Sequence, residues 1–291
     1  MVMRSAVDSR AVEIVEFGSD APTCPLPARL PIDVKGPVAT FMQGKAIVCP
    51  SDYGQQCFEY SFTTGAWSPR LTLDVKRASA SETLLDENKW WITGGHDGGT
   101  VFHVSTVVYN GTNLTPGPEL PRPTAVHCVL KVNATHYFLA GGKSDASTTV
   151  RTAHLLEYGT GVWTALPAML RARRGHGCHV LGGGDKILVT GGRGDLDAGQ
   201  TTEVLSLATM TWSLGPVIPN GVHFCCGTSS VGNTQANLYL FGGFGSDSAD
   251  TDEIYMYHPS ISQWSTLKKK LAAKTHAHAV IKLPHGTCWI Q

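Results

Sequence analysis

Short apolar runs recur along this chain, and four of them stop at a pair of glycines. The runs read WWITGG, YFLAGG, ILVTGG and LYLFGG, with the pairs at Gly94–Gly95, Gly141–Gly142, Gly191–Gly192 and Gly242–Gly243. Successive pairs are 47, 50 and 51 residues apart. β-prone runs this short, closed by glycine, predict strands that end in tight turns. About twenty residues after three of the pairs comes a tryptophan followed by a Leu/Pro turn, in VWTALPAML, TWSLGPVIP and QWSTLKKKL. In the remaining repeat Leu114 takes that place, within NLTPGPELPRP. An altered earlier copy, KAIVCPSDYGQQCFEYSFTTGAWSP, has Cys49–Pro50 where the glycines are expected and keeps Trp67.

A period near 50 with a double glycine and a downstream tryptophan resembles the kelch repeat of β-propellers. The resemblance implies one four-stranded antiparallel blade per repeat. Glycine lets the backbone turn and pack closely where a side chain would clash, and tryptophan fills the space against the next blade. The C-terminal KTHAHAVIKLPHGTCWIQ then supplies two inner strands, and the N-terminal AVEIVEF and TCPLPARLP supply two outer ones, with Cys24 at the tryptophan position. The expected fold is all-β, a six-bladed kelch-type propeller closed by N- and C-terminal strands that share one blade. It covers residues 11–291, with residues 1–10 as an N-terminal tail. Closure removes the open strand edges that invite aggregation.

Composition narrows the function classes. The 291 residues carry zero formal net charge, which argues against a nucleic-acid or membrane-surface binder. No stretch reaches the roughly 18 apolar residues that span a bilayer, so no membrane insertion is expected. The first residues show no signal-peptide core, which suits a cytoplasmic protein and equally a domain cut from a longer secreted chain.

In kelch domains that capture peptides, the residues after the glycine pairs and at the blade junctions form the ligand pocket. Here the first set is Ser51, His96, Lys143, Arg193 and Phe244. The second is Arg77, Arg122, Arg173, Arg174 and Lys274. The resemblance makes this cationic rim the candidate site, and arginine suits a protein or acidic peptide ligand through bidentate contacts to carboxylate. The competing reading pairs these cations with loop aspartates such as Asp97, Asp145 and Asp195. Arg193-Gly194-Asp195 also spells an integrin-recognition tripeptide, but every glycine pair is followed by a loop aspartate, so it reads as one variant of a recurring turn.

Three Asn-x-Thr sequons, at Asn110, Asn113 and Asn133, fall in turns on the opposite face and suit glycosylation. Cys49 and Cys57 lie close enough for a disulfide, or stand as two buried thiols. Cys128, Cys178 and Cys225–Cys226 read as small packing residues of inner strands. CPLPARLP, IVCPSDYGQQC and VHCVL resemble kelch proteins of extracellular type from invertebrates, which favours a secreted protein over a cytoplasmic one. His127, His176, His179, His223, His276 and His278 crowd the inner strands, yet no ligand spacing supports a metal site, and no cofactor is expected. The leading function is a non-catalytic protein- or peptide-binding module. The alternatives are a carbohydrate-active propeller enzyme, mutarotase- or oxidase-like, and an intracellular adaptor.

Overall fold

The computed structural model describes residues 1–3, 9–15, 28–50, 54–220, 238–244 and 249–284. The chain opens with β1 (Val2–Met3) and β2 (Val12–Glu13). Blade 1 follows as β3 (Val38–Met42), β4 (Lys45–Cys49), β5 (Gln56–Ser61) and β6 (Ala66–Thr72). Blade 2 is β7 (Ser81–Asp86), β8 (Lys89–Thr93), β9 (Thr106–Tyr109) and β10 (Leu114–Pro116). Blade 3 is β11 (Cys128–Lys131), β12 (His136–Ala140), β13 (Ala153–Glu157) and β14 (Val162–Leu166). A two-residue ribbon of β15 (Arg173–Arg174) and β18 (Arg193–Gly194) flanks blade 4, which comprises β16 (Gly177–Leu181), β17 (Lys186–Thr190), β19 (Thr202–Ser206) and β20 (Thr211–Leu214). Blade 5 is described through β21 (Leu238–Phe241), β22 (Ile254–His258) and β23 (Gln263–Thr266). Finally β24 (Ala279–Val280) pairs with β1, giving a six-bladed β-propeller closed by both ends of the chain.

The closing blade differs in one respect from the expected arrangement. Val2–Met3 is no tail: it lies between β24 and β2, pairing Val2 with Val280 on one side and with Glu13 on the other. Val2 and Met3 are fully buried. Burying two apolar side chains stabilises this blade by about 3–6 kcal/mol, which explains why the segment is drawn into the sheet. The expected second C-terminal strand falls largely outside the described residues, as do Cys24, Ser51, His223 and Cys225–Cys226.

The glycine pairs are the joints between blades. At Gly141, φ is +61°, and an added Cβ would lie 2.4 Å from the Arg173 carbonyl oxygen of the next blade's entry. The following N–H, from Gly142, donates to that same carbonyl at 2.9 Å. The contact recurs from Gly95 to Thr124 and from Gly243 to Thr275. A side chain here would separate the two blades. Tryptophan supplies the second joint. The indole N–H of Trp67 donates to Ala28, that of Trp163 to Glu119 and that of Trp212 to Pro167, each across about forty residues to the preceding blade.

The core is distributed between blades. Trp90, Ile92 and Tyr109 pack on Val38, Met42 and Ile47 of blade 1, and Phe138 of blade 3 packs with Ile187 and Leu205 of blade 4. Two disulfides staple the framework. Cys49–Cys57 joins the end of β4 to the start of β5, and Cys128–Cys178 joins the inner strands of blades 3 and 4. Cys49 pairs with Val38 as Thr93 pairs with Ser81, so it ends the strand, one place before the glycine positions and not within them. Cys128 and Cys178, expected as packing thiols, are bonded to each other.

Inner strands β24, β3, β7, β11 and β16 follow one another around a central channel, with a cavity of about 410 Å³. Among the described residues, no helix is long and apolar enough to cross a membrane.

Candidate functional site

The residues expected at the rim separate into three groups. Arg77 and Arg173 are withdrawn from it: both are buried, and they serve the fold. The Arg77 guanidinium donates to the carbonyls of Gly94 and Ser105, and pairs with Asp74 at 2.9 Å. That of Arg173 donates to the carbonyls of Gly191, Ala198 and Thr201, and pairs with Glu203. Each guanidinium ties together the carbonyls at the strand ends beside the glycine pair. Position alone hid this, because an arginine four residues before an inner strand looks the same whether it turns inward or outward.

A second group is engaged locally. His96 accepts from the Gly98 N–H through Nδ1 and stacks on Phe102. Phe244 stacks on His276 with ring centroids 4.2 Å apart, and His276 in turn meets Asp250 at 2.8 Å. Lys274 is exposed on the approach to the closing blade. Arg122, half-buried, enters blade 3 and is treated below.

Lys143, Arg174 and Arg193 come together. Arg174 and Arg193 are direct partners in the β15–β18 ribbon. Arg174 Nη1 donates to Thr149 Oγ1 at 2.6 Å, and Thr149 is bridged to Lys143. Burial, then the Arg174 charge, holds the Lys143 ammonium below the usual lysine value; burial, then Arg193, lowers Arg174 in the same way. Like charges crowded so that each weakens the next make a local positive field on a neutral protein.

Of the loop aspartates, Asp145 partly offsets the Lys143 charge, and each is also held by backbone N–H groups. Asp97 accepts from the N–H groups of Gly99 and Val101, Asp145 from those of Ser147 and Thr148, and Asp195 from Ala172 at 2.8 Å. These backbone bonds hold the Asp97 and Asp145 carboxyls below their ordinary value. Asp197 pairs with Arg171 at 2.9 Å. Asp97 and Asp145 therefore fasten their own turns, as aspartates in loops do, while Asp195 and Asp197 hold the chain entering blade 4. Arg193 is exposed and makes no ion pair among the described residues. Leu196, three residues on, is 94% exposed. Neither Leu196 nor Thr149 stood out in the sequence, since a lone leucine or threonine in a loop carries no signal.

The three sequons lie in turns away from the glycine ends. Asn133 sits between β11 and β12, while Asn110 and Asn113 connect β9 to β10, and all three are exposed. Of the histidines, burial drives His127 and His176 down to about 3 and His179 to about 4, so they are neutral packing groups. Among the described residues, no group of three or more His, Cys, Asp or Glu is arranged to hold a metal ion.

No family model matches this chain. A stretch of 154 residues, 52% of the chain, is 25% identical to Kelch-like protein 35 of Mus musculus. That stretch spans 25% of the mouse protein's length.

Proposed function

We propose that this kelch-repeat propeller is a non-catalytic binding module that holds an acidic peptide or protein segment against Lys143, Arg174 and Arg193. The observation that carries the reading is the crowding of three cations whose nearby loop aspartates are committed to backbone N–H groups. Two of the three are guanidinium groups, which suit carboxylates in pairs. Leu196 adds an apolar contact beside the charge, as the centre of a protein contact needs. Propellers favour such a role because a stiff ring carries loops that are already ordered, so binding loses little entropy. The secreted setting is part of the proposal. Two disulfides and three exposed sequons, Asn110, Asn113 and Asn133, support it, since disulfides persist in oxidising compartments.

The test is binding of a glutamate-rich peptide to the purified protein, read by calorimetry at low and at 0.5 M salt (about three Å of screening length remaining near 1 M). Affinity should fall at least tenfold in Arg174→Ala and Arg193→Ala, and fall again with salt. Equal affinity in wild type and both variants would remove the proposal.

A further inference from the structure

The blades carry the same backbone plan, so equivalent places can be compared from blade to blade. In blade 4, Glu203 stands opposite Val189, two places before the glycine pair. Its carboxylate accepts from the N–H groups of Leu170 and Arg171 and from the Arg173 guanidinium. In the closing blade, Glu13 stands at the matching place, opposite Val2, and accepts from the Ala272 N–H through both oxygens. Both carboxylates fasten the chain that enters their blade.

Blade 3 has neither the carboxylate nor its arginine. The place opposite Leu139 is His154, and the place of Arg173 is Thr124, whose short side chain turns back onto the Arg122 carbonyl. Pro121 further removes the N–H that Leu170 offers in blade 4 and Ala272 in the closing blade. What remains is a set of polar atoms without partners. Thr152 occupies the place of Ser105 and Thr201, whose hydroxyls meet Arg77 and Arg173, and its own hydroxyl is buried and unbonded. His154 Nδ1 is likewise buried and unbonded.

Arg122 comes into this region from the entering loop. Its counterpart Arg171 lies out on Asp197, but Arg122 Nε and Nη2 are buried and make no hydrogen bond. The Arg122 charge acts on both His127 and His154, helping burial to lower both below the ordinary histidine value. His127 itself is spoken for. The Thr93 hydroxyl donates to Ser81, so His127 Nε2 must donate to Thr93, and its other nitrogen presents a lone pair. A guanidinium with two buried unpaired N–H donors is costly unless something accepts from it.

We infer that blade 3 binds one small anion of halide size, held by Arg122 with Thr152 and His154, where blade 4 uses the carboxylate of Glu203. Arg122 is only half-buried, so the anion exchanges with solvent. This site is independent of whatever binds at Lys143, Arg174 and Arg193.

The test compares thermal unfolding in 0.2 M sodium chloride and in 0.2 M sodium isethionate, whose anion is far bulkier than a halide. Chloride should raise the wild-type midpoint by about 2–4 °C in a saturable way. Arg122→Ala should lose that response. His154→Glu supplies the carboxylate that blade 4 and the closing blade carry, and should be insensitive to chloride while remaining folded. A bromide-soaked crystal should show an anomalous peak within hydrogen-bond reach of Arg122 Nε or Nη2. An equal chloride response in all three proteins, no response in the wild type, or no bromide at Arg122 would each overturn the inference, leaving ordinary water as the occupant.

Discussion

Arg173 and Glu203 form an ion pair at 2.5 Å from which solvent is wholly excluded, both side chains being 0% exposed. The pair ties the entry of blade 4 to its third strand, and Glu203 also takes two backbone N–H groups. Removing one partner leaves the other charge buried and unpaired, which costs about 3–5 kcal/mol. Arg173→Met should therefore destabilise by about that amount in urea unfolding. Arg171→Met, which breaks an exposed pair with Asp197, should cost under about 1 kcal/mol.

The joints between blades should show the same sharpness. Gly141→Ala places a Cβ against the Arg173 carbonyl and 2.4 Å from His176 Cε1, on a backbone at φ +61°. It should cost at least about 3 kcal/mol, combining the left-handed strain with forced separation of blades 3 and 4. Gly159→Ala meets nothing within 4 Å and should be near neutral. Denaturant midpoints of the two variants decide the matter; similar losses would show that the clash relaxes.

The two disulfides should differ in worth. Cys49–Cys57 closes a separation of 8 residues, Cys128–Cys178 one of 50. On the loop-entropy account these constrain the unfolded chain by about 2.5 and about 4 kcal/mol. Cys128→Ser with Cys178→Ser should lower the midpoint more than Cys49→Ser with Cys57→Ser. The reverse order in calorimetry would place the stabilisation in the folded state instead.

Acid should unfold the protein through its buried histidines. Their folded values lie near 3 for His127 and His176 and near 4 for His179, below the unfolded 6.5. The unfolded chain thus binds more protons, and stability is lost as pH falls below 6.5. Glu82 works the other way. Lining the channel and accepting from the Trp90 indole at 2.7 Å, it is pushed up by desolvation to about 7, so its contribution is fully present below 4.5 and is lost as pH rises to about 7. Three histidines against one carboxylate leave a net loss of about 2–3 kcal/mol per pH unit between 6 and 5. Glu82→Gln should steepen that acid loss and raise stability at pH 8. Stability curves of both proteins across pH 5–8 check the sign.

Much of this molecule follows from local pattern. The recurring glycine pairs, the tryptophans and the apolar runs specify strands, turns and blade count, because each acts through its own backbone or its nearest strand. Gly141 needs φ > 0 wherever the chain goes, and Trp163 must find a surface to fill. The shared closing blade was legible for the same reason, since an incomplete repeat at each end implies the other. Which polar side chains are free for a partner is not a local property. Arg77, Arg122, Arg173 and Arg193 stand in similar contexts along the chain, yet two are buried under strand-end carbonyls, one is sealed in part within blade 3, and one reaches solvent. Whether a guanidinium turns inward depends on what surrounds it in space: Glu203 of the blade it enters for Arg173, Asp74 of the entering loop for Arg77, and His154 of blade 3 for Arg122. Cys128 and Cys178 meet only because adjacent inner strands bring positions a full repeat apart within bonding distance, and Val2–Met3 is a strand only because β24 and β2 pair with it from both sides.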